Sequence, residues 1–186
     1  MFDRSPPPAA WRPDTGSPRS RALGSLCRVK TWVLTGSVDN FRATRERGFR
    51  LIGAKEGRRR MAQQIEPGDE IIFYLTVVQA FAGIVRVTSE MFEDREPVWP
   101  GKPGKPGKPG KVDAYPWRFE TEPVLVLEEE QFLPAVDLAS ELEHVRKWPA
   151  DHWHLAFQGQ LRTVSDADAR LLAASLREAT GVTASG

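Results

Sequence analysis

The chain has 186 residues, about one domain's worth, with 26 Lys and Arg against 25 Asp and Glu. No run approaches the ~18 apolar residues of a membrane span. The single cysteine, Cys27, excludes an internal disulfide and a multi-cysteine metal site. The net charge of +1 is only a sum: residues 42–60 carry eight Lys/Arg against two acids, and residues 112–151 carry three against ten. A basic stretch beside an acidic one still allows one basic face.

Residues 1–28 contain five prolines, five arginines and few large apolar side chains. Such a segment cannot bury enough surface to offset its ordering entropy, so a disordered tail is predicted. A passive tail is preferred here over a basic arm on nucleic acid. No apolar h-region marks a secretory signal, and a cytoplasmic protein is the simplest expectation.

Folded structure is expected over 29–180. Thr31 to Thr35 is β-prone, and Ser37 is a good N-cap for a helix carrying Val38 and Phe41 on one side. Gly48 is its natural stop, and Phe49 to Ile52 predicts a second strand with Phe49 and Leu51 on one face. Residues 53–64 are polar and basic and predict a short helix, followed by a Pro67-Gly68-Asp69 turn. Residues 70–87 are too long for one strand, so a hairpin is placed near Thr76–Gln79, although neither Gly nor Pro marks it. In its first arm Ile71, Phe73 and Leu75 face one way, and Ile72 and Tyr74 the other.

Residues 100–111 read PGKPGKPGKPGK. A solvated loop extension is preferred over a phosphate-touching lysine array. Tyr115 to Leu127 predicts one or two strands interrupted by Pro123. Asp137 predicts a helix through Val145, and Gln158 to Thr163 a last strand. Ser165 and Asp168 form a capping box for a closing helix with Ala167, Leu171, Leu172 and Leu176 on its buried side. Residues 181–186 are expected to be disordered. The order predicts an α+β fold: a small closed or nearly closed β-barrel with peripheral helices, rather than a doubly wound sheet.

No phosphate-binding glycine loop, nucleophile elbow or acid–base pair identifies an enzyme, and no cofactor is implied. His152 and His154 flank Trp153, but no third ligand has motif spacing, so a packing or surface pair is preferred over a metal site. Aromatic residues interleaved with basic and small polar ones are more informative. Aromatic faces stack on bases, and Ser or Asn can bond a base edge. Arg45, Arg47, Arg50, Lys55, Arg58, Arg59 and Arg60 are candidates for holding phosphates.

Several segments in order and spacing resemble one family. They are Trp32-Val33-Leu34 through Ser37; Gly48-Phe49 through Gly53-x-Lys55; Met61 with Pro67-Gly68-Asp69 and Ile71-Ile72-Phe73-Tyr74; Gln79 through Val85; Tyr115-Pro116-Trp117-Arg118; and Phe157-x-Gly159-x-Leu161-Arg162. Together they resemble the EVE domain, a PUA-like relative of YTH and ASCH domains. Leu75-Thr76 departs from the family's usual Ser-Pro, and the Gly-Lys-Pro repeat lies outside its pattern.

The resemblance implies a PUA-like β-barrel of about six strands whose pocket accepts a base, with no catalytic residue. It implies that Ser37 and Asn40 contact the base edge, that Phe49, Trp99 and Trp117 stack, and that Tyr74 forms a wall. Trp32 is either a core anchor or a pocket residue. The expected partner is DNA or RNA with a modified base, read by a monomer that works beside a restriction-system or RNA-processing protein. A small hydrolase acting on a nucleoside-like ligand and a scaffold subunit are the alternatives.

Overall fold

The computed structural model describes residues 29–100 and 115–181. The expectations for the N-terminal tail, nearly all of the Gly-Lys-Pro repeat and the last five residues lie outside that range. No helix among the described residues is long and apolar enough to cross a membrane.

The strands are β1 (Thr31–Gly36), β2 (Leu51–Ala54), β3 (Glu70–Leu75), β4 (Ala80–Val87), β5 (Phe92–Glu93), β6 (Trp117–Val126), β7 (Leu133–Pro134) and β8 (Leu161–Thr163). Three α-helices join them: α1 (Val38–Glu46), α2 (Arg59–Ala62) and α3 (Asp166–Ala179). The main path of the sheet runs β2-β6-β4-β3-β1-β8, with β5 on β6 and β7 on β4. It curls into a half-barrel of about six strands. β1 and β3 pair in parallel, and the chain between them crosses over through α1, β2 and α2.

Side-chain alternation sorts the core into two clusters. Trp32, Ile71, Phe73 and Leu75 join Phe41, Phe49 and Phe119 in one. Val33, Ile72 and Tyr74 join Phe81, Phe157, Leu172 and Leu176 in the other. The predicted split of β3 is therefore observed.

Local signals explain the ends of α1. Ser37 Oγ accepts from the Asn40 N–H at 3.2 Å. At the other end the Gly48 N–H donates to Arg45 O (2.8 Å) and the Phe49 N–H to Thr44 O (3.0 Å). That pair of bonds is a Schellman motif. It puts Gly48 at φ 63° and Phe49 at φ 56°. Phe49 therefore belongs to the turn and not to β2, which corrects the expected strand. The Thr121 hydroxyl, which donates to Phe49 O at 2.6 Å, helps to hold it there.

The hairpin lies where it was expected, with Leu75 opposite Ala80. Gln79 takes the left-handed position at φ 50°. β6 runs through Pro123 as one strand. The register shifts there, with Ile84 opposite Leu125 and Val85 opposite Pro123. A bulge is one of the few places where a strand interior tolerates proline.

The helix expected from Asp137 to Val145 is not formed. A 3-10 turn at Ala135–Asp137 gives way to a series of turns. The Asp168 carboxylate accepts from the N–H groups of Glu143 (2.8 Å) and His144 (2.9 Å). This buried acceptor takes donors that the helix would have used. It also breaks the predicted reciprocal capping box. Ser165 Oγ still accepts from the Asp168 N–H at 3.2 Å, but the Asp168 carboxylate is turned away. The buried stripe of α3 is Asp168, Leu172 and Leu176, and Ala167 is exposed.

Candidate functional site

The two edge strands of the curled sheet, β2 and β8, approach each other at a seam that the end of β1 also borders. Among the described residues no strand ladder joins β2 to β8 or to β1. The Gln160 side chain does: Nε2 donates to Gly53 O at 3.2 Å and Oε1 accepts from the Lys55 N–H at 2.6 Å. The Gln160 carbonyl accepts from the Thr35 N–H at 2.7 Å. One residue thus spans the gap with side chain and backbone.

A pocket opens at this seam. Leu34, Phe73 and Leu75 form its floor, Ile52 and Gly53 one wall, and Phe41 and Thr44 of α1 another. Ser37 and Asn40 supply polar atoms, and Trp99 and Tyr115 complete the lining. Trp99 Nε1 donates to Thr44 Oγ1 at 2.8 Å, and Asn40 Nδ2 donates to the Tyr115 hydroxyl at 2.9 Å. The two rings meet edge to face, with centroids 5.3 Å apart. The cavity volume is about 30 Å³. That holds about two waters.

Arg118 underpins these rings. It is 2 % exposed, and its guanidinium lies 5.5 Å from the Trp99 centroid. It donates to the Asp94 carboxylate, to Glu96 O and, at 3.2 Å, to Tyr115 O. One cation thus ties together the chain on either side of residues 101–114.

Of the aromatic and polar residues expected at the pocket, Ser37, Asn40 and Trp99 line it and four others sit elsewhere. Trp32 is a core anchor whose Nε1 donates to Asp69 Oδ2 at 2.9 Å. Phe49 packs on Phe41 and Phe73, with centroids 5.2 and 5.8 Å away. Tyr74 points to the opposite face of β3 and stacks on Phe157 at 4.5 Å. Burial pushes its phenol up to about 12. Trp117 is buried, its Nε1 donating to Glu56 O at 3.1 Å.

The basic segment divides as well. Arg45 pairs with Glu128, and its neighbour Arg42 makes a two-pronged pair with Glu129 at 2.7 and 2.6 Å. The basic and acidic blocks of the sequence thus partly neutralise each other, and Arg45 is already engaged. Arg59 lies 4.7 Å from the Trp117 centroid and Lys55 Nζ 5.7 Å from that of Tyr115. Arg47, Arg50 and Arg60 are exposed. Arg58 lies at the seam beside Gly159, together with Arg162.

Sequence reasoning assigned no pocket role to Thr44, Tyr115 or Gln160. Tyr115 stands in a motif that the sequence does reveal, two residues before the Trp117 that was preferred. Nothing local distinguishes Gln160, whose partners are more than a hundred residues away in the chain. Among the described residues no cluster of His, Cys, Asp and Glu can hold a metal.

A half-barrel with a pocket at its seam defines a PUA-like fold. The EVE domain model matches residues 30–174, and the chain belongs to the EVE domain family. Among solved structures it is similar to the YTH domain of the Zygosaccharomyces rouxii MRB1 protein in complex with N6-methyladenosine RNA. The two share 12 % identity and a TM-score of 0.54, over 81 % of this chain and 88 % of that one. The Mmi1 YTH domain has 10 % identity and a TM-score of 0.56, over 82 % and 92 %. The Pho92 YTH domain in complex with m6A has 10 % and 0.53, over 80 % and 84 %. At these identities the likeness is one of fold. No curated protein matches the sequence.

Proposed function

We propose that this protein is a non-catalytic module that binds a modified base of a nucleic acid in the seam pocket. The observation that carries this reading is the pocket's make-up. An apolar interior of Leu34, Phe41, Phe73 and Leu75 is edged by the Ser37 hydroxyl and the Asn40 amide and walled by the Trp99 ring. Such a site suits a flat, largely apolar ring with polar edges, and a methyl group on that ring gains from the apolar floor. Two of the similar YTH folds were solved with N6-methyladenosine or RNA containing it, which supports the same reading.

In this reading Trp99 stacks on the base, Asn40 and Ser37 bond its edge, and Tyr115 borders the opening. The Asn40 amide is oriented by Tyr115, and the Ser37 hydroxyl keeps a donor while it caps α1. Lys55, Arg58 and Arg59 lie around the seam and attract the backbone.

The test is a binding screen of single-stranded RNA and DNA carrying methylated or hydroxymethylated bases, at two salt concentrations. The expected result is a preference for one modified base that persists at the higher salt. A steep salt dependence with no base preference would reduce the function to phosphate binding and overturn the reading.

A further inference from the structure

Gly159 has φ +91°, and a Cβ placed on it would lie 3.0 Å from Arg58 Nη2 and 3.4 Å from Arg162 Nη2. Two guanidinium groups therefore converge on one bare stretch of backbone. Arg162 Nε is buried and has no hydrogen-bond partner. Among the described residues, no carboxylate pairs with either arginine. Burial, and then the nearby Arg58, hold the Arg162 guanidinium below its ordinary value. Two like charges and an orphaned donor are costly to keep together unless something anionic joins them.

We infer that Arg58 and Arg162 form an anion site that takes a backbone phosphate of the nucleic acid whose base enters the seam pocket. This inference rests on the base-binding reading. Gly159 precedes Gln160, which lines the pocket. Consecutive Cα atoms are about 3.8 Å apart, so the arginine pair lies one residue from the pocket wall. A planar guanidinium offers paired donors that match two phosphate oxygens, and two guanidinia can hold a single phosphodiester from two sides. The missing side chain at Gly159 lets the two guanidinium groups come this close to the backbone and to each other. Arg58 belongs to the basic stretch legible in the sequence; Arg162 comes from β8, over a hundred residues later.

The experiment compares the full chain with Arg58→Gln and Arg162→Lys. Each is titrated with a short single-stranded RNA carrying a central N6-methyladenosine, and with the same strand abasic at that position, across a range of salt. Arg162→Lys keeps the charge and removes the fork, so it separates geometry from net charge. Arg58→Gln is expected to weaken both strands about tenfold. It should also lower the slope of log K against log salt by about 0.7, the share of one single-strand phosphate. Arg162→Lys is expected to weaken both strands several-fold. Unchanged affinity and slope in both variants would overturn the anion site, as would failure of the wild-type chain to bind either strand. If the wild-type chain binds the methylated and abasic strands equally, the base-binding reading falls, and the arginine variants still decide the anion site.

Discussion

Trp99 rests on the bare backbone of Gly53: a Cβ there would lie 2.6 Å from the indole ring and 2.8 Å from the Tyr115 Cβ. This close approach lets β2 act as a pocket wall. Gly53→Ala is expected to push the indole outward. Overpacking of this kind costs about 1–3 kcal/mol. Thermal unfolding should show a lower Tm, Trp fluorescence should shift, and affinity for the methylated strand should fall about tenfold. If stability and affinity both remain at wild-type levels, Trp99 does not depend on Gly53.

Trp99 and Trp117 separate the pocket from the core. Stacking on a base contributes about 1–3 kcal/mol. Trp99→Ala should therefore reduce the preference for methylated over unmodified strands about tenfold. Trp117→Phe should lower Tm and leave that preference intact, because the Trp117 indole bonds Glu56 O away from the pocket. Equal losses of preference in the two variants would contradict the assignment.

The Asp69 carboxylate accepts from three N–H groups: Lys30 (2.9 Å), the Trp32 indole (2.9 Å) and Glu66 (3.1 Å). It is 3 % exposed. Asp69→Ala leaves these donors unpaired in the interior and should cost about 3 kcal/mol or more. Urea unfolding measures this as a lower midpoint. Asp69→Asn retains one carbonyl acceptor and should fall between the two.

Arg42 and Arg45 are held by Glu129 and Glu128 at the surface. Exposed pairs of this kind contribute little to stability. Glu128→Gln combined with Glu129→Gln should leave the urea midpoint unchanged but remove the main charge partner of each arginine, leaving Arg42 with Asp39 and Arg45 with Leu127 O. Affinity for unmodified single strands should rise, and the salt slope should steepen by about 1.4 if both arginines reach phosphate. An unchanged slope would show that these arginines face away from the nucleic acid.

Tyr74 gives a pH test of the core. Burial raises its phenol to about 12. The unfolded chain ionises near the ordinary value of about 10. Its contribution is complete below pH ~10 and is lost as pH rises toward 12, because only the unfolded chain releases the proton there. Tyr74→Phe should remove that part of the alkaline loss of stability and leave base preference unchanged. A loss of base preference would place Tyr74 at the pocket after all.

Features that depend on neighbours in the chain were legible without the structure. The Ser37 cap, the Gly48 stop and the two faces of β3 all follow from spacing over a few residues. Order and spacing of short segments sufficed to point to the EVE family. The hairpin at Thr76–Gln79 was also found, because residues 70–87 are too long for one strand.

Other features depended on what the chain meets in space. Asp168 captured the backbone of Glu143 and His144 and prevented the expected helix. Among residues that looked equally suited to a base, Trp99 and Asn40 line the pocket, while Trp117 and Tyr74 serve the core. The reason is geometric. An aromatic side chain has the same chemistry on either face of a strand, and only the curl of the sheet decides which face meets the seam. The same holds for charge. The sequence by itself determined a basic block, an acidic block and a sum of +1. Only the tertiary structure decided that Arg42 and Arg45 meet Glu129 and Glu128, while Arg58 meets Arg162. Charges interact through distance in space, which sequence separation does not set.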